Sequence, residues 1–288
     1  MALLSAVVAS TRGKVLAVYF DHGIRALSER LRDIQTIQTF CDNESVRLVV
    51  RKLPVRADVR RSKDGIEAAG RRWRYRMLTH LARLNQANAI MTAHHLNDSA
   101  ETVLLKIVRG SGAGLSGISL FSERTGIPIV RPLIQFTKHE LENYCKRQGV
   151  GYVVDSTNSN NDYSRNRIRN RVFPELRKVN SNVDTELCRF AARIQTMSDF
   201  VRSQIPCHLM YWNHHMFHIS NQLRDYHIAI QNVTILDAFS RLSIEPSADR
   251  IERVLSLMTM DPCPQIQLTA QWYADHRDGA LRFKPATC

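Results

Sequence analysis

The chain is 288 residues long with 44% hydrophobic residues, enough for a real core and, at about 150 residues per domain, suited to two domains. It carries 40 Lys and Arg against 27 Asp and Glu, a formal charge of +13 that favours a polyanionic partner, nucleic acid before an anionic membrane surface. No apolar run approaches the roughly 20 residues of a membrane helix, and no C-x-x-C pair supports a zinc-knuckle, iron–sulfur or thioredoxin-type centre.

The six cysteines, at 41, 145, 188, 207, 263 and 288, are widely spaced, as expected of reduced thiols in a cytoplasmic protein. Residues 2–10 fit a helix that faintly resembles a signal peptide but lacks a basic leading region. A strand follows at Val15–Phe20, almost uniformly apolar, as for a parallel strand covered on both faces. It ends in Asp21-His22-Gly23-Ile24-Arg25, polar residues at a strand's carboxyl end. A helix at 28–43, a strand at Val46–Leu53, a basic loop at Arg56–Lys63 and a long helix from Gly65 to about Leu84 come next. Strands alternating with helices predict an α/β fold, a parallel sheet with helices on both faces.

The densest chemistry lies at Thr92–Thr102. A short strand at 87–93 gives way to a helix at Ser99–Val108, so His94, His95 and Asp98 fall where ligands bind in open α/β sheets. If the turn is helical from His94, then His94, Asp98 and Glu101 share one face, and two carboxylates near a helix start could hold Mg²⁺ or an amine. The same residues also read as a capped helix, with Asn97 or Asp98 as N-cap and Glu101 in a capping-box position. Arg109-Gly110-Ser111-Gly112 opens a glycine-rich loop running to Gly117, either a phosphate nest or a connector.

Further on, Ile127–Val130 reads as a strand, Thr137 as the cap of a helix over 138–148, and Tyr152–Val154 as a last short strand. Asp155-Ser156-Thr157-Asn158 is turn-rich. Arginines at 165, 167, 169 and 171 cannot share one helical face, because steps of two turn about 200°. Arg165 and Arg169 should point one way and Arg167 and Arg171 the other, a pattern suited to several phosphates or to a solvated basic face. Helices are expected at 184–204, 221–242 and 248–258, the last capped by Ser247. Ile266–Trp272 and Ala280–Lys284 read as a β-hairpin around Asp275–Gly279. His208, His214, His215 and His218 lack carboxylate or cysteine partners at ligand spacing and read as a surface strand rather than a metal site.

Taken together, the chain resembles the tRNA(Ile)-lysidine synthetases of the PP-loop ATP pyrophosphatase superfamily. The matching pieces are 20–25, 65–69 with Arg74-Tyr75, 92–102, 109–112, Arg131-Pro132-Leu133, 155–158, and 165–169 leading to Pro174-Glu175-Leu176, in that order. The resemblance implies an adenine nucleotide α-hydrolase-like catalytic domain at 1–182. It also implies a smaller, mainly helical linker and tRNA-recognition domain at 183–288, ending in a β-hairpin.

The reaction so implied adenylates the C2 oxygen of the wobble cytidine of an isoleucine tRNA with a CAU anticodon, releasing pyrophosphate. The amine of free L-lysine then displaces AMP. ATP and Mg²⁺ follow as cofactors, isoleucine tRNA and lysine as partners, with a dimer among the open oligomeric states. Asp98 would sit at the reaction centre for lysine or Mg²⁺, beside Arg74, His94, His95 and Glu101. Asp21, His22, Gly23, Arg109, Gly110, Ser111 and Gly112 would serve ATP, and Arg165, Arg167, Arg169 and Arg171 the tRNA. The family's first strand and its Ser-Gly-Gly-x-Asp-Ser loop would precede Met1, so weak or absent activity is expected of the chain as given. A PP-loop tRNA 2-thiolase and a non-catalytic tRNA-binding remnant are the alternatives.

Overall fold

A computed structural model of the chain describes residues 1–11, 13–21, 23, 26–53, 66–110, 115–124, 126–153 and 164–286, without the side chains of residues 66–68 and 124. The basic loop at Arg56–Lys63 and the turn-rich stretch at 155–158 lie outside the described residues. Two compact units emerge, one of residues 1–101 and 118–184, the other of residues 102–117 and 185–288.

In the first unit, α1 (Ala2–Ser10) precedes β1 (Leu16–Asp21), α2 (Leu27–Asn43) and β2 (Arg47–Lys52). β1 and β2 run parallel, Val18 opposite Val49, as a strand–helix–strand crossover requires. Next come α3 (Ile66–Leu84), β3 (Ile90–Met91) and α4 (Leu96–Val108), whose last turns belong to the second unit. β4 (Phe121–Arg124) and β5 (Ile127–Val130) follow, then α5 (Lys138–Arg147). β5 lies between β3, parallel to it, and β4, antiparallel to it.

β5 turns Ile127 and Ile129 inward, where they meet Ile90, Tyr75, Leu78 and Ala82, so α3 covers this sheet. α1 buries Ala2 against Leu133 and Cys145, with Leu3, Leu141 and Tyr144 around them. The apolar runs at 15–20 and 46–53 thus give the expected parallel pair. The strand expected at 87–93 is shorter, because the chain leaves the sheet after Met91 to build the turn before α4. Residues 152–153 form no strand, and β4 was not expected.

α5 carries a complete capping box. Thr137 Oγ1 accepts from Glu140 N–H at 3.2 Å, and Glu140 Oε2 accepts from Thr137 N–H at 2.7 Å. Thr137→Ala should lower the unfolding free energy by about 1 kcal/mol, read from urea midpoints at unchanged slope.

The first unit closes with α6 (Ser164–Arg167), a π-helical turn at Ile168–Val172, and α7 (Phe173–Val179). Pro174 has no N–H to donate back into the preceding turn, and the wider turn accommodates that loss. Phe173 N–H instead bonds the carbonyl of Ile168.

Most of α8 (Val183–Ser203) lies in the second unit, with β6 (Met210–Asn213), β7 (Met216–Ser220), α9 (Ile228–Arg241), α10 (Ala248–Ser256), β8 (Ile266–Gln267), β9 (Trp272–Arg277) and β10 (Ala280–Pro285). The five strands form one antiparallel sheet in the order β6-β7-β10-β9-β8. Phe217, Ile219, Leu281, Phe283 and Ala274 point to one face and bury against Ile235, Phe239, Val254 and Leu257 of the helices.

The expected terminal hairpin belongs to this larger sheet, and its turn is only Asp278-Gly279, both at positive φ as a two-residue primed turn needs. Asp275, His276 and Arg277 are therefore strand residues, and Ile266–Gln267 is a separate strand. The helix expected at 221–242 breaks at Tyr226-His227, where the His227 side chain caps α9 by accepting from Ala229 N–H. His214 sits in the β6–β7 turn at φ 51, His208 in a single 3-10 turn and His218 in β7, so the four histidines do not form one surface strand.

Candidate functional site

The site grows from the carboxyl end of β3. Thr92 N–H still reaches the Val130 carbonyl of β5 at 3.0 Å, after which the chain turns away. Thr92 Oγ1 and His94 Nδ1 share a hydrogen bond of 2.9 Å, which fixes the imidazole over the strand end.

α4 begins at Leu96, three residues earlier than expected, so neither Asn97 nor Asp98 is its cap, and His94 stands outside the helix. The cap is His95. Its N–H donates to Asp98 Oδ2 at 3.1 Å, while Asp98 N–H reaches His95 Nδ1 at 3.4 Å. This is a capping box with histidine in place of serine or threonine. Glu101 is not part of that box, because it lies one turn further on and is only 3% exposed.

Glu101 is held by the arginine run. Arg165 Nε donates to its Oε2 at 2.8 Å, and Arg169 reaches both oxygens, Nε at 2.6 Å and Nη2 at 2.9 Å. The same guanidiniums touch Asp98 Oδ1 more loosely, at 3.4 Å and 3.2 Å. Arg167 and Arg171 are exposed on the other side, as the helical angle requires. Two carboxylates one turn apart on α4 thus face two guanidiniums one turn apart on α6 and the π turn, a neutral four-centre cluster. Glu101 is the committed member. Asp98, with longer contacts and more exposure, can exchange an arginine contact for an incoming cation.

Electrostatics sets the histidines apart. His94 is pushed down to about 4, first by burial and then by Arg71, Arg131 and Arg165, against the opposing pull of Asp98. Burial also lowers His95, against Asp98 and Glu101. Both rings are therefore neutral near pH 7 and able to take a proton.

The sign of the pH effect follows directly. As pH falls from 6.5 toward 4, the unfolded chain gains a proton at residue 94 that the native chain resists. Stability should fall across that window, and His94→Asn should flatten the slope between urea midpoints taken at about pH 7 and about pH 5.

The remaining residues fall into place around this core. Asp21 ends β1 and is held by Gly23 N–H at 2.8 Å and by the Arg30 guanidinium. Arg74 is half-buried on α3. Arg109 and Gly110 close α4 within the second unit, Gly110 at φ 69. His22, Ser111 and Gly112 lie outside the described residues.

Sequence reasoning gave no role to Arg131, which is 5% exposed and bonded to the Ser119 carbonyl at 2.8 Å, nor to Arg71, which lies over the Tyr75 ring. It also missed Arg177 and Asp184, described below. Arg131 alone carried a sequence signal, in its place at the end of a strand before Pro132.

A divalent metal finds no cage here. The Asp98 and Glu101 oxygens are engaged by arginines and by a helix cap, and among the described residues no three His, Cys, Asp or Glu side chains gather to hold an ion. No step below is routed through Mg²⁺.

Against known proteins, the profile of the PP-loop domain family matches residues 1–176. The tRNA(Ile)-lysidine synthase of Lactiplantibacillus plantarum is 35% identical over 197 residues, 68% of this chain and 43% of that protein. That of Borreliella burgdorferi is 34% identical over 189 residues, 65% of this chain and 42% of that protein. That of Haemophilus influenzae is 29% identical over 280 residues, 94% and 62% of the two chains. The chain spans about two fifths of the length of the first two relatives. Among solved structures, the U34-tRNA thiolase NcsA from Methanococcus maripaludis, with its 4Fe-4S cluster, shares the fold at a TM-score of 0.53 and 15% identity over 67% of each chain.

Proposed function

This chain belongs to the PP-loop domain family, and on that premise we propose that it is an ATP-dependent ligase joining free L-lysine to the wobble cytidine of a CAU-anticodon isoleucine tRNA. The observation that carries the reading is Asp98, a partly exposed carboxylate at a strand's carboxyl end, set between a neutral imidazole and two arginines. The names of its relatives direct that geometry to lysine and tRNA.

Residues 1–182 would do the chemistry and residues 183–288 would help hold the tRNA. In the first step the C2 oxygen of the cytidine attacks the α-phosphorus of ATP and pyrophosphate leaves. In the second, the lysine amine attacks C2 and the C2–O bond breaks, releasing AMP. Asp98 receives the lysine as an ammonium, and Glu101 keeps Arg165 and Arg169 in place while it binds. The attacking amine must lose a proton, and His94 or His95 takes it. Arg74, with Asp21, His22, Gly23 and the stretch 109–112, is assigned to the nucleotide. The exposed Arg167 and Arg171 face tRNA phosphates, whereas Arg165 and Arg169 act through the carboxylates they grip.

The test is AMP release by the native protein, its first residue mapped by mass spectrometry, with ATP, lysine and isoleucine tRNA each left out in turn. Release that needs all three supports the reading, and release that needs a sulfur donor instead of lysine makes it a thiolase. Salt-sensitive tRNA binding with no turnover makes it a binding protein. Arg167→Ala and Arg171→Ala should each weaken tRNA binding and reduce its salt slope by about 1.

A further inference from the structure

Asn97 stands between His95 and Asp98, yet the chemistry above gives it nothing to do. Its carboxamide oxygen accepts from Lys138 N–H, at the first residue of α5, at 2.8 Å. Its nitrogen donates to Asp184 Oδ1 at 2.7 Å. These two partners fix which end of the amide is oxygen, since a backbone N–H needs an acceptor and a carboxylate needs a donor. Asp184, in the first turn of α8, is only 6% exposed, and Arg177 of α7 grips both its oxygens at 2.8 Å. The Arg177 guanidinium in turn lies 5.0 Å from the centre of the Phe173 ring. Burial pulls the Asp184 carboxyl upward, but the bonds from Arg177 and Asn97 hold it below the ordinary carboxylate range.

One carboxamide therefore ties the start of α4 to the starts of α5 and α8 and, through Asp184, to α7. The α6–α7 path meets α4 at two places, at Arg165 and Arg169 on the carboxylates and at Arg177 through Asp184 and Asn97. A helix held at one place can pivot about it, whereas one held at two cannot. We propose that Asn97 and Asp184 are positioning residues whose latch with Arg177 sets Asp98 and its two arginines in the geometry that receives lysine. This rests on the ligase reading, and it extends that reading to a site one layer behind the reacting groups.

The polarity of the amide supplies the test. Asn97→Asp sets a second carboxylate 2.7 Å from Asp184 in a buried place, where like charges repel strongly. Adding Asp184→Asn restores one donor and one acceptor across the same contact. Native protein, the single variant and the double variant are compared by amide hydrogen exchange over residues 95–101 and 137–140, and by lysine-dependent AMP release.

The single variant should exchange faster in both segments and turn over about tenfold more slowly, since a 1 Å misplacement can cost about 10²-fold. Its KM for ATP should stay within about twofold, because the nucleotide contacts lie elsewhere. The double variant should return both readouts to within about threefold of the native protein. A single variant that matches the native protein in exchange and turnover overturns the latch, and so does a double variant no better than the single. If native protein releases no AMP with lysine, the ligase reading fails, and exchange alone decides the latch by the same two comparisons.

Discussion

Replacing Glu101 with glutamine should lower the unfolding free energy by about 3 kcal/mol, the largest stability loss expected of any single change at this site. Glu101 is 3% exposed, and its two oxygens receive three guanidinium N–H bonds from residues 64 and 68 positions away. The amide keeps the shape but removes the charge and turns one acceptor into a donor facing a donor. Two guanidiniums are then left at a neutral group in a place that water reaches only in part, and that uncompensated charge costs more than the lost attraction between exposed ions would. The midpoint of urea unfolding should move while the slope stays constant. Added salt should recover little, because a buried pair is poorly screened. A loss under about 1 kcal/mol would mean the cluster behaves as a surface ion pair and does not fix α6 against α4.

Asp98→Ala should reduce lysine transfer by about 10²-fold or more, the loss expected when a charge complementary to a bound cation leaves a reaction centre. Affinity for tRNA should change by less than about twofold, because the exposed phosphate-facing arginines remain. Asp98 also caps α4, so alanine additionally costs about 1 kcal/mol of stability. Asp98→Asn separates the two roles. Its side-chain oxygen can still accept from His95 N–H, so the helix start survives, while the charge that would meet lysine is gone. Equal loss of turnover in both variants assigns the effect to charge. A tenfold drop in tRNA affinity would instead make Asp98 a structural residue.

Much of this arrangement is legible in the chain. The apolar runs at 15–20 and 46–53 give parallel strands, and the turn between 91 and 96 gathers its polar residues where an open sheet places ligands. The helical angle alone separates Arg165 and Arg169 from Arg167 and Arg171. What stayed hidden has physical reasons. β4 is an edge strand with Phe121 largely exposed and charged residues beside it, so it lacks an apolar pattern. β6 and β7 join through His214-His215, without the Asn-Gly or Asp-Gly signal of a tight hairpin turn.

Asp98 and Glu101 were read as a site for a metal or amine, but nothing near them in sequence shows that two arginines more than sixty residues away would take up their charge. Asn97 and Asp184 lie 87 residues apart, and neither sequence neighbourhood signals the other. Local pattern fixes elements and faces, and pairings between distant polar side chains appear only once the chain is folded.

The most direct measurement is the mass of the wobble nucleoside recovered from CAU-anticodon isoleucine tRNA after incubation of native protein with ATP and isotope-labelled lysine. The account predicts a cytidine carrying the label, formed with one AMP per modified base and lost in Asp98→Asn. An unlabelled cytidine, or a base that gains sulfur when a sulfur donor replaces lysine, would contradict it.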